Sequence, residues 1–245
     1  MIGWSTHWQL GPALVNGQLA TVILALFLLL AGVAVAERWG RCPQALKKEG
    51  VPWIMEALLI FLLIWKFSPL LRQPSLILDP ADLLLRQGSA WGSLVASLVT
   101  LGYIGWRTRF RGERFASFSD ALALYLLLLL WLQALFFPSY GYASTLPWAV
   151  SLTNPEYTYH PLHLYTFLMT TGIGIGILLK KRERVGQLAI PIFFTLGIAL
   201  WLIAWLQPFQ QLYYGLQAQQ WLAMALIALS FYLRWMIHHN LPKND

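Results

Sequence analysis

The stretch Tyr159-His160-Pro161-Leu162-His163-Leu164-Tyr165 gathers the chain's most chemically capable side chains at the mouth of the apolar run 167–179. His160 directly precedes a proline and His163 follows three residues on, which fits the first turn of a helix with both imidazoles on one face. Imidazoles so placed at a membrane boundary suit three tasks: holding a metal, moving a proton, or hydrogen-bonding a lipid head group. A metal centre needs more ligands than two histidines, and only Glu156 adds a carboxylate nearby, so no metal and no cofactor is expected. The plainest alternative makes both histidines interfacial anchors with satisfied hydrogen bonds. A second imidazole pair, His238-His239, lies in the tail and is read as unrelated.

Uncharged polar and aromatic residues recur around this stretch. The segment 138–160 is long for a connection in a compact protein, and Tyr140, Gly141, Tyr142 and Trp148 argue for an ordered, functional loop. Gln133 is an isolated amide in a leucine-rich run, so it is expected to face other helices rather than lipid. Gln207, Gln219 and Gln220 collect further amides, where they suit a lipid glycerol or phosphate. Asp79-Pro80 followed by Asp82 and Arg86 at i,i+4 reads as a short amphipathic surface helix over about 79–87, with Arg86 a candidate phosphate contact.

The elements that must position these residues are membrane helices. Of 245 residues, 58% are hydrophobic and 11% charged, with mean hydropathy +0.58, more apolar surface than a soluble core of this size hides from water. Seven segments are long and apolar enough to cross a bilayer: about 19–36, 52–71, 90–106, 119–137, 161–179, 187–206 and 217–237. They must be helices, because an isolated strand would leave its backbone unsatisfied in lipid. The expected fold is all-α, a single seven-helix polytopic domain over 1–245. Ser119-Asp120 reads as the N-cap of the fourth span, and Gly172 and Gly176 as a small-xxx-small surface that lets helices approach closely.

The net charge of +7 is a topology signal rather than a nucleic-acid footprint, since the basic residues sit in short loops. Arg38, Arg41, Lys47 and Lys48 follow the first span; Arg107, Arg109, Arg111 and Arg114 the third; Lys180, Lys181, Arg182 and Arg184 the fifth. The connections 138–160 and 207–217 contain no Lys or Arg, which puts the N-terminus outside and the C-terminus in the cytoplasm. The single Cys42 then lies in a cytoplasmic loop as an inert reduced thiol. Ala34-Val35-Ala36 imitates a cleavage site, but a basic loop follows the apolar run and none precedes it, so the run is read as the first span.

Several of these pieces occur together in one family. Tyr140-Gly141, Leu146-Pro147-Trp148-Ala149-Val150, His160-Pro161-x-x-Leu164-Tyr165, Gln207-Pro208 and Gly215-Leu216-Gln217-Ala218-Gln219-Gln220-Trp221-Leu222 follow in the order and on the side seen in prolipoprotein diacylglyceryl transferase, which the chain resembles from about residue 88 on. The resemblance implies a multi-pass protein of the bacterial plasma membrane that moves a diacylglyceryl group from phosphatidylglycerol to the lipobox cysteine of a lipoprotein precursor. On that basis His160 and His163 would assist thiolate formation. Arg86, Gln133, Tyr140, Gly141, Trp148, Tyr165, Gln207 and Gln220 would bind the lipid.

The chain departs from the family's pattern at charged positions. Trp91 stands where the family has a histidine, Leu130 and Leu206 where it has arginines, Asn16 where it tends to have tyrosine, and Thr166 where its fifth-span motif ends in glutamate. A transfer that expels a phosphate needs cations to stabilise the leaving group, worth a few kcal/mol each. The alternative expectation is therefore a non-catalytic relative, a lipid-binding or accessory subunit of a membrane assembly with a membrane-protein partner.

Overall fold

The computed structural model describes residues 7–10, 13–40, 46–78, 83, 88–108, 112–152, 156–179, 186–208 and 212–240. Within them the chain is mostly helical and membrane-embedded. The long helices are α1 (Gly17–Arg38), α2 (Val51–Phe67), α3 (Ala90–Thr108), α4 (Gly112–Phe136), α5 (Leu162–Leu178), α6 (Ala189–Leu206) and α7 (Ala218–Asn240). Among the described residues five stretches, Gly17–Arg38, Leu46–Leu71, Phe115–Phe136, Ala189–Leu206 and Ala218–His239, are long and apolar enough to cross a membrane. The apolar α5 is slightly shorter at 17 residues, and α3 is diluted by Ser93, Ser97, Thr100 and Thr108.

Short strands accompany the helices at one end of the bundle. A hairpin of β1 (His7–Leu10) and β2 (Ala13–Asn16) leads into α1, and β6 (Leu212–Tyr213) pairs with β7 (Leu216–Gln217) between α6 and α7. Between α4 and α5, β3 (Tyr140–Ala143), β4 (Val150–Ser151) and β5 (Thr158–Pro161) pair as an antiparallel sheet in the order β3-β5-β4. Backbone groups outside hydrocarbon are free to pair in this way, which apolar periodicity inside the spans does not reveal. The proposed helix over 79–87, with Arg86, lies outside the described residues save Leu83, which is buried.

The core runs through α4 and α6. In their most apolar stretches 56% and 50% of residues are buried, against 22% and 17% for α1 and the α2 region, so α4 and α6 are the central helices. Ile192, Phe193 and Leu196 of α6 pack with Ala121 and Leu127 of α4, Leu29 of α1 and Leu233 of α7 in one cluster. At full burial each such side chain contributes about 1.5–3 kcal/mol in water, but in lipid the gain comes from close packing rather than from leaving water.

Two sequence expectations are corrected at this level. Helix α4 starts at Gly112, not at Ser119-Asp120. Ser119 Oγ donates back to the Phe115 carbonyl at 2.8 Å, while the fully buried Asp120 carboxylate accepts N–H groups of Gly186, Leu188 and Ala189 at 2.6, 3.1 and 2.7 Å. Asp120 therefore caps α6, a neighbouring helix whose first N–H groups have no partners of their own. The glycines of α5 do not bring helices together either: a Cβ at Gly172, Gly174 or Gly176 would meet nothing within 4 Å. Close approach occurs instead at Gly197, where a Cβ would lie 2.6 Å from Ile227 Cγ1 and 2.9 Å from the Ala223 carbonyl, so α6 and α7 pack nearly backbone to backbone.

The opposite end carries a second set of polar contacts. Lys47 pairs with Glu37 at 2.5 Å, closing α1 onto the π-helical turn Leu46–Gly50, and a Cβ at Gly50 would lie 2.5 Å from the Ser117 carbonyl of α4. Tyr103 donates to Glu56, and Arg107 stands 3.9 Å from Glu56 and over the Trp53 ring. Glu56 is thus held by α3 at this end.

Candidate lipid site

His160 and His163 do not share a helical turn. His160 is the third residue of β5, Pro161 at the N-cap has φ −79° and ψ 83°, and α5 begins only at Leu162. Proline disfavours the helical region for the residue before it, so His160 is pushed into the extended conformation that lets it join the sheet. The two rings are therefore held by different partners.

Those partners occupy one nitrogen of each ring. Trp148 Nε1, which only donates, bonds the Tyr165 hydroxyl oxygen at 2.9 Å, and the same hydroxyl lies 3.1 Å from His160 Nδ1. The hydroxyl can donate to Nδ1 or accept from it with its second lone pair, so His160 Nδ1 is occupied in either tautomer and Nε2 stays open. His163 Nδ1 lies 3.0 Å from the Ser139 carbonyl, which only accepts, so His163 carries its hydrogen on Nδ1 and keeps a lone pair on Nε2. Tyr140 packs on the His163 ring at 5.4 Å in an edge-to-face pair. The site thus presents an imidazole acceptor, His163 Nε2, and a second open ring nitrogen, His160 Nε2.

The sheet explains how Trp148 and Gly141 reach the site. Ala149 N–H bonds the Leu146 carbonyl at 3.0 Å, a tight turn with Pro147 in its second position and the half-exposed Trp148 beside it. Across the sheet, Gly141 lies against the end of α6: a Cβ there would overlap the Leu206 carbonyl and come within 3.0 Å of Leu162 Cδ2 and 3.2 Å of His160 Cβ. Only glycine lets the strand sit on that carbonyl.

This contact joins the histidine cluster to the amides. Gln207 Nε2 bonds Gln219 Oε1 at 2.5 Å, Gln219 Nε2 reaches the Leu200 carbonyl at 3.3 Å, and Gln220 Oε1 accepts the Gln217 N–H at 2.9 Å. Gln217 is 6% exposed, and its own Oε1 is buried without a donor. Of the residues singled out in the sequence, His160, His163, Tyr140, Gly141, Trp148, Tyr165, Gln207 and Gln220 are thereby brought to one end of the bundle. Gln133 is half-buried near the end of α4, and no contact among the described residues joins its side chain to either histidine. Sequence reasoning overlooked the orphaned Gln217 oxygen and the Ser139 carbonyl; backbone carbonyls leave no trace in residue type.

It also misread what lies below. An open apolar groove of about 560 Å³ runs between α5 and α6, with Met169, Gly172 and Gly176 on one wall and Thr195, Ile198 and Leu202 on the other. Its size falls within the roughly 300–1,000 Å³ typical of ligand sites. Residues 165, 169, 172 and 176 recur at helical spacing, so Tyr165 stands on the groove's face one turn beyond Met169, about 6 Å along the axis. The spacing of small residues was visible in the sequence, but the same pattern serves a helix contact or a void. Only the neighbours decide.

Electrostatically the site is unusual for a phosphate. From 115 to 179 and from 185 to 233, the segments that build it, the chain contains no Lys or Arg. No group of three or more His, Cys, Asp or Glu able to hold a metal occurs among the described residues. No protein-family model matches the chain, and no curated protein is similar to it in sequence.

Proposed function

We propose that the chain is a lipid-handling protein that holds a diacyl lipid with its head group at the His160–Tyr165–Trp148 cluster and an acyl chain in the groove between α5 and α6. The observation that carries this reading is that α5 bears both the polar cluster, at its start, and the apolar groove, along the face that Tyr165 shares. A polar end continuous with an apolar channel is the shape of an amphiphile. All seven helices cross the membrane in this reading, with the strand-bearing end outside and the basic end in the cytoplasm of a bacterial plasma membrane, as the Lys and Arg distribution favours.

The reading is tested by lipid retention. The double variant His160→Ala, His163→Ala should lose most of the lipid that copurifies with the native protein, while His238→Ala, His239→Ala should retain it in full. Equal retention by the two variants would place the lipid elsewhere.

A second reading, diacylglyceryl transfer from phosphatidylglycerol to a lipoprotein cysteine, is favoured by the free lone pair on His163 Nε2. There the thiol proton would pass to Nε2, the sulfur would form a bond to the glyceryl carbon, and the carbon–oxygen bond to glycerol phosphate would break. The absence of Lys and Arg from 115–179 and 185–233 weighs against it, because those segments supply no cation to stabilise the leaving phosphate. Complementation of a strain lacking its transferase separates the two: growth would establish transfer, and its failure with a folded, lipid-retaining protein would leave the holding role.

A further inference from the structure

We infer that the head group held at this site is uncharged and rich in hydroxyls, such as a glycosyl or glyceryl group, rather than a phosphate. The inference rests on the lipid-holding reading above and names the class of lipid.

Three features of the site point the same way. The first is the inventory of free hydrogen-bonding positions. His163 Nε2 is an acceptor and His160 Nε2 is open, because Ser139 and Tyr165 occupy the other nitrogen of each ring. A hydroxyl accepts and donates at once, so it satisfies both rings. A phosphate oxygen only accepts, and would set its charge against the His163 lone pair.

The second is the orphaned oxygen of Gln217. Its side chain is buried, its backbone N–H is given to Gln220 Oε1, and its own Oε1 finds no donor. A buried acceptor without a donor is costly, and a molecule that closes over the amide layer and supplies an O–H removes that cost. Phosphate oxygens cannot supply it.

The third is charge. No Lys or Arg occurs in the segments that build the site, whereas phosphate sites depend on arginine forks, lysines or free helix N-termini. At the start of α5, the helix end nearest the histidines, Pro161 has no N–H and the His163 N–H is given to the Ser139 carbonyl at 3.4 Å. Trp148 and Tyr140 instead bring aromatic faces suited to the C–H surfaces of a sugar or glycerol.

The test is a competition on the delipidated full-length protein among three lipids with identical acyl chains: a monohexosyl diacylglycerol, phosphatidylglycerol and phosphatidylcholine. The expected result is at least tenfold tighter binding of the monohexosyl lipid than of either phospholipid. Gln217→Leu should reduce that preference to within threefold while leaving phosphatidylglycerol binding as it was. Phosphatidylglycerol binding as tightly as the monohexosyl lipid, or all three binding alike, overturns the inference and leaves the lipid-holding reading standing. Saturable binding of none of them overturns both. The competition on the native protein decides the matter even if the Gln217 variant fails to fold.

Discussion

The buried carboxylate of Asp120 in α4 accepts the backbone N–H of Ala189 at 2.7 Å and so caps a helix to which it does not belong. With the Gly186 and Leu188 N–H groups bound as well, one side chain fixes the start of α6, the central helix whose other end meets Gly141. Asp120→Ala leaves those donors unpaired and should cost about 3 kcal/mol, since hydrogen bonds to a charged group are worth about 1.5–3 kcal/mol. Asp120→Asn, which keeps an acceptor without the charge, should cost about half as much. Unfolding in mild detergent checks both, and a loss under about 0.5 kcal/mol for the alanine variant would deny the capping role.

Glycines on adjoining helices should respond in opposite directions. Gly197→Ala drives a methyl into Ile227 and the Ala223 carbonyl and should destabilise by about 1–3 kcal/mol. Gly172→Ala meets nothing and should be neutral or stabilising by about 0.5–1 kcal/mol, the ordinary helix preference for alanine. Thermal unfolding of the two variants side by side gives the comparison; equal losses would mean that α5 is packed where the groove is drawn.

Filling the groove should act on lipid and not on the fold. Gly172→Leu with Gly176→Leu places two side chains in the space between α5 and α6, so copurifying lipid should fall at least fivefold with the unfolding temperature kept. Undiminished lipid in that variant would remove the acyl chain from the groove.

Tyr165→Phe removes the hydroxyl that joins Trp148 to His160. The expected stability loss is about 1 kcal/mol, that of an ordinary hydrogen bond, with a larger effect on lipid retention because His160 is then free to turn. Tryptophan fluorescence and lipid content measured on one preparation distinguish the two effects. Stability loss without lipid loss would make the trio structural only.

The helices were legible in the sequence because a bilayer demands long apolar runs, and the seven expected segments match α1 to α7 to within a few residues, apart from the start of α4. That start was misplaced because Asp at a capping position looks the same whether it serves its own helix or a neighbour. His160 was put on a helix because Pro161 suits a first turn; the pairing of Tyr140 with Pro161 and of Val150 with Tyr159, which holds the histidine in a strand, spans distances that local pattern does not reach. Loop polarity pointed to His160, Tyr165, Trp148 and the glutamines as residues of one side, and the structure joins the first three by hydrogen bonds. The tautomer of His163, the orphaned Gln217 oxygen and the groove depend on which atoms meet, and composition says nothing of that.

The central claim is that one acyl chain lies between α5 and α6 with its head group at Tyr165, and photocrosslinking tests it most directly. A diacyl lipid carrying a photoreactive group midway along one chain is bound to the native protein, irradiated, and the labelled residues are identified by mass spectrometry. The account predicts adducts concentrated on 169–177 of α5 and 191–202 of α6, and their loss in the Gly172→Leu, Gly176→Leu variant. Adducts spread evenly over the exposed faces of α1, α2 and α7, unchanged in that variant, would contradict it.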